Sequence, residues 1–111
     1  MSADPIDLTR EADFSIGGLK VRPAARQAGA ETLEPRVMQV LVALGRNLGE
    51  VVTRDDVLAA WRASPPEPGQ TAAPLNSNAL EVYVHRLRKK LDQSSLNIRN
   101  IRGLGYMLEK P

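Results

Sequence analysis

Residues 77–91 read SNALEVYVHRLRKKL. Leu80, Val84, Leu87 and Leu91 recur at steps of four, three and four, the spacing that lines one face of an α-helix. With that face turned inward, Asn78, Glu81, Val82, His85, Arg86 and Lys89 stand on the opposite side, with Arg88 at its border. This set combines hydrogen-bonding groups, one exposed methyl-bearing side chain and several cations. Its chemistry is non-covalent and suits the edges of base pairs. A guanidinium such as Arg86 can bond guanine in bidentate fashion, Val82 can touch a thymine methyl, and Glu81 can accept from cytosine. Asn78 carries both a donor and an acceptor. On charge alone, the solvated side of an ordinary helix accounts for the same residues equally well.

A second feature shifts that balance. IRNIR (98–102) and YML (106–108) flank Gly103-Leu104-Gly105, and two extended runs around a short glycine-containing turn read as a hairpin, here 98–108. Arg102 sits directly before the turn, where a side chain can project far from the body. A cation at a hairpin tip beside a basic helix matches minor-groove insertion next to major-groove reading. The plain alternative is a routine surface arginine.

The charge distribution points the same way. The 111-residue chain carries a net charge of only +2. Residues 1–77 hold eight Lys/Arg against ten Asp/Glu, whereas residues 78–102 hold six against two. Positive charge is thus concentrated in one late segment, as expected where a phosphate backbone docks. Other classes are disfavoured. The chain has no cysteine, which removes disulfides and thiolate metal sites and fits a reducing cytoplasm. No apolar run approaches the roughly 20 residues of a membrane helix. The start, MSADPIDLTREAD, lacks the positive and apolar parts of a secretory signal. His85 and Glu81, four residues apart on one helix, are a weak metal signature without further ligands. Neither a phosphate-binding glycine loop nor a nucleophile–base set is present. The expectation is no enzyme, no metal and no cofactor.

The elements that must position these residues follow from turns and periodicity. One domain is expected over 13–111, after a loose leader at 1–12. Phe14-Ser15-Ile16 and Leu19-Lys20-Val21-Arg22, around Gly17-Gly18, read as strands, followed by brief extended pieces near Arg26 and Thr32. Pro35 suits the first position of a helix, with the Glu34 charge at its positive end; Val37, Val40, Leu41 and Leu44 give its apolar stripe. Val51-Val52 reads as a strand. Thr53 then caps a second helix, with Asp56 three residues on and Val57, Leu58 and Trp61 inward. SPPEPGQTAAP (64–74) holds four prolines and must be a loop. The third helix, 78–91, is expected to begin at Ser77 or Asn78, and Asn78 with Glu81 three residues on fits a capping pair. The fold class is α+β: a short N-terminal antiparallel sheet, three helices and a C-terminal β-hairpin.

Three segments, VVTRDDVL, NALEVYVHRLRKKL and IRNIRGLGYML, in this order and spacing, resemble the winged-helix effector domain of OmpR/PhoB-type bacterial transcription regulators. The likeness covers roughly residues 14–110. The front part is similar to CadC-type members that lack a receiver domain, and the back part to response regulators of the polymyxin-resistance type. The resemblance implies a winged helix-turn-helix fold and sequence-specific binding of double-stranded DNA. It places Val82 and Arg86 at bases, with Glu81 and Asn78 on the same face. It places Arg54, Tyr83, His85, Arg88, Lys89 and Asn100 along the DNA backbone, and Arg102 in the minor groove. It further implies a monomer in solution that pairs on direct-repeat DNA, and regulation by something other than a receiver domain. Two features depart from the pattern. The second helix is one residue shorter before Trp61, which suits a core anchor better than a phosphate contact. The proline-rich loop, 63–77, is longer than usual; in relatives this loop can face RNA polymerase. The rival reading is a winged-helix protein-interaction module without specific DNA binding, a use that loses the basic face kept here. RNA is disfavoured, because four aromatic residues are too few for a stacking platform.

Overall fold

The computed structural model describes residues 7, 8, 10–63, 77–92 and 94–110. Among them the order of elements is β1 (Phe14–Ile16), β2 (Leu19–Arg22), β3 (Gln27–Ala28), β4 (Glu31–Thr32), α1 (Pro35–Gly45), β5 (Val51–Thr53), α2 (Arg54–Ala63), α3 (Ser77–Lys90), β6 (Asn97–Ile101) and β7 (Gly105–Glu109). The first four strands form an antiparallel sheet in sequence order, and the last three form a second sheet in the order β5-β7-β6. The expected loop at 64–74 lies outside the described residues.

Pro35 opens α1 behind Glu34, whose extended backbone (φ −63, ψ 152) places it at the N-cap. The periodicity predicts a single inward stripe. Instead, all eight residues from Val37 to Leu44 are buried. The reason is position: α1 packs on α2, α3 and β7, and Ile16 and Phe14 of β1 close over its last turn at Gly45. α2 begins as expected, with the Asp56 N–H donating to Thr53 Oγ1 at 3.1 Å, and its Val57, Leu58 and Trp61 are buried. The stripe Leu80, Val84, Leu87 and Leu91 of α3 faces the same core.

Three boundaries differ from the sequence expectation. α3 starts at Ser77, the earlier of the two expected starts, so Asn78 lies within its first turn and not at the cap position. In the hairpin, Gly105 belongs to β7, and the turn is Arg102-Gly103-Leu104. Gly103 takes the left-handed φ of 78° that side chains resist, and the Leu104 N–H closes the turn on the Ile101 carbonyl at 3.0 Å. Gly105 is needed for closeness: a Cβ there would stand 2.1 Å from the Val52 carbonyl oxygen and 2.7 Å from Thr53 Cα. β5 therefore passes directly against it, in register Thr53↔Gly105. The third difference is in the leader. Leu8 is 1% exposed and belongs to the core cluster, and Glu11 pairs with Arg46. The chain is thus tied to the body ahead of β1.

Candidate nucleic-acid interface

The outward side of α3 is formed by the residues that its inward stripe leaves free. Asn78, Glu81, Val82, His85, Arg86 and Lys89 are all exposed. Val82, 49% exposed, is one of three large hydrophobic residues that face solvent among those described, together with Val51 and Leu104. A valine left in water in the middle of a polar face contributes nothing to folding. The face keeps a methyl-bearing contact beside hydrogen-bonding and cationic groups.

The flanks of α3 are engaged with the body. On one flank Arg88 donates from Nε and Nη2 to the Ile98 carbonyl, at 3.3 and 3.1 Å. The residue expected along a phosphate backbone thus also forms a strut between α3 and β6. On the other flank Tyr83 is partly buried and meets Trp61 edge-on, with ring centroids 5.3 Å apart. Trp61 is a core residue, 1% exposed, as its spacing suggested. The Arg36 guanidinium lies 4.8 Å from the centre of the Trp61 ring; burial pushes its pKa below the ordinary value.

The same second flank carries two ion pairs, one to β4 and one to the connection between β4 and α1. Arg86 Nη1 stands 2.9 Å from Glu34 Oε2, and Lys90 Nζ stands 3.3 Å from Glu31 Oε2. Neither partner was legible in the sequence. They lie 52 and 59 residues from their cations, and no local pattern joins residues so far apart.

The hairpin is fixed to the start of α2 as well as to α3. The Arg54 N–H donates to the Leu104 carbonyl at 3.2 Å. The Arg54 side chain reaches Asn100 Oδ1 at 3.5 Å and lies 5.3 Å from the centre of the Tyr106 ring. Arg54 and Asn100, expected to act on one backbone, are thus brought together. Arg102 is exposed within the turn. Arg99, on β6, is paired with Glu109 at 3.2 Å. Among the described residues no group of three or more His, Cys, Asp or Glu is placed to hold a metal ion, and no helix is long and apolar enough to cross a membrane.

The profile of the family described as "Transcriptional regulatory protein, C terminal" matches residues 29–108. The chain belongs to this family, the OmpR/PhoB-type winged-helix effector domains. These are regulator domains and not enzymes. The effector domain is 34% identical over 109 residues to the alkaline phosphatase synthesis transcriptional regulatory protein PhoP of Bacillus subtilis, covering 91% of this chain and 42% of that protein. It is 34% identical over 102 residues to the response regulator protein PmrA of Pseudomonas aeruginosa, covering 86% and 41%. The chain therefore spans about two fifths of the length of these relatives. Among solved structures it is similar to the DNA-binding domain of Escherichia coli CadC, with a TM-score of 0.65 and 26% identity over 87% of this chain and 91% of that one. It is equally similar to the DNA-binding domain of Klebsiella pneumoniae RstA in complex with the RstA box, with a TM-score of 0.65 and 26% identity over 89% and 98%.

Proposed function

We propose that this effector domain binds double-stranded DNA sequence-specifically, with α3 in the major groove and the β6–β7 wing in the adjacent minor groove, and that it thereby regulates transcription. The observation that carries the reading is the outward face of α3. It is exposed along its length, it carries Arg86 and Lys89, and it leaves Val82 in solvent. A major groove offers each of these groups a counterpart: guanine acceptors, phosphates and the thymine methyl. The relative crystallised with DNA, the RstA domain on the RstA box, supports the same use of the fold. In this reading Arg86, Val82, Glu81 and Asn78 face bases, and Arg54, His85, Lys89 and Asn100 approach phosphates. Arg88 and Tyr83, which also tie α3 to the wing and to α2, lie along the same backbone. Arg102 enters the minor groove.

Two copies pair on direct-repeat half-sites, and the free chain is a monomer. The RNA polymerase contact expected of the loop at 63–77 falls on residues 64–76, outside the described residues; Ala63 and Ser77 themselves are helical. The deciding experiment is selection of bound duplexes from a random pool, followed by titration at fixed salt. A recovered motif repeated in one orientation, bound by two copies per duplex and much more tightly than random DNA, is the expected result. Equal binding to all duplexes, or none, would leave the interaction-module reading in its place.

A further inference from the structure

Arg86 is held from two sides. Its Nη1 donates to both carboxylate oxygens of Glu34, at 2.9 and 3.2 Å. Its guanidinium carbon lies 5.3 Å from the centre of the Tyr83 ring, and that ring is braced edge-on by buried Trp61. Glu34 is fixed in turn by its place at the α1 N-cap, yet its carboxylate makes no capping bond to its own helix. The carboxylate is spent on Arg86. A guanidinium carries five N–H donors in a rigid planar fork. The two on Nη1 face Glu34, and the Nε and Nη2 donors have no partner among the described residues. That open edge presents two parallel N–H groups, the pattern that pairs with O6 and N7 of guanine.

We infer that Glu34 is a positioning residue for base recognition. It grips one edge of the Arg86 guanidinium while Tyr83 flanks the plane, and the Nε–Nη2 edge is aimed at a guanine. This inference rests on the reading of α3 as the base-contacting helix. Both side chains are about half exposed, 48% for Arg86 and 56% for Glu34, so the pair does little for folding. Its effect falls on binding. A long side chain already fixed in its bound rotamer loses less freedom on docking, a saving worth roughly two- to tenfold in affinity. Glu34 also repels phosphate, which weakens binding to DNA of any sequence. Removing it therefore moves the two kinds of binding in opposite directions.

The test uses a duplex selected by the wild-type chain from a random pool, its single-base-pair variants, and a random-sequence duplex. Affinities are compared for the wild type, Glu34→Ala, Glu34→Gln, Arg86→Ala and the Glu34→Ala/Arg86→Ala double variant. Glu34→Ala is expected to hold or tighten binding to the random duplex. It should cut discrimination about two- to tenfold at the one base pair that Arg86→Ala also relaxes. Glu34→Gln keeps an acceptor oxygen and should retain part of the discrimination, and in the Arg86→Ala background Glu34→Ala should change it no further. If Glu34→Ala tightens binding to the selected duplex and leaves discrimination intact, Glu34 competes with DNA for Arg86 and the positioning role is overturned. If Arg86→Ala itself leaves discrimination intact, base reading by α3 fails and the positioning role fails with it.

Discussion

At the residue scale, Arg86, Arg88 and Lys89 sit on one helix within four positions and stand in three different surroundings. Arg86 offers a free donor edge, so Arg86→Ala should cost about 1–3 kcal/mol on a preferred duplex and relax the preference at one position; competition titration against single-base variants measures both. Arg88 is bonded to the Ile98 carbonyl. Its replacement by Ala should lower folding stability by about 1 kcal/mol, visible in a urea midpoint, whereas Lys89→Ala should leave that midpoint unmoved and weaken DNA binding alone. Arg102 is exposed in the wing turn. Arg102→Ala should weaken binding most on duplexes with an A·T-rich flank and reduce the slope of log affinity against log salt by about 1. Equal losses on both flanks with an unchanged slope would assign the minor-groove role elsewhere. The outward residues of α3 were legible because a stripe repeating at four, three and four dictates what must point away. The strut made by Arg88 and the hold of Glu34 on Arg86 were not, because a side chain's choice among distant partners leaves no trace in spacing.

At the element scale, punctuation carried most of the information. Gly17-Gly18, Pro35, Thr53 and Gly103 each mark a chain reversal or a helix start, and elements lie where those residues put them. The burial of α1 from Val37 to Leu44 escaped periodicity, because a helix enclosed by two others and by strands β1 and β7 has no polar face to break the pattern. Gly105 was read as part of a turn, since sequence does not reveal that β5 runs against it. The contact makes a sharp prediction. Gly105→Ala would force a methyl into the Val52 carbonyl, and overpacking of that severity should cost about 3 kcal/mol or more. Thermal unfolding should show a drop of more than about 10 °C. Gly103→Ala, with nothing near its Cβ position but a left-handed φ, should cost only about 1 kcal/mol. If the two variants melt together, the close passage of β5 is wrong.

At the scale of the whole molecule, a residue ahead of the first strand helps close the core. Leu8 is buried at 1% exposure, so Leu8→Ala should cost about 2–5 kcal/mol, like other large-to-small core changes. A change below about 0.5 kcal/mol in a denaturant titration would show that the leader does not pack. Composition gave no warning of this, because one apolar residue among acidic and polar neighbours looks the same bound or free. The second sheet also has a consequence in time. β7 is its middle strand, hydrogen-bonded to β5 some 50 residues earlier and to β6 just before it, and it packs on α1 as well. A ribosome adds about 5–20 residues each second. For several seconds after α1 emerges, its apolar surface waits for a strand that has yet to be translated. The first sheet pairs only neighbours in sequence and can form early, but the second sheet, and with it the cover of α1, is completed late, once β7 has left the exit tunnel.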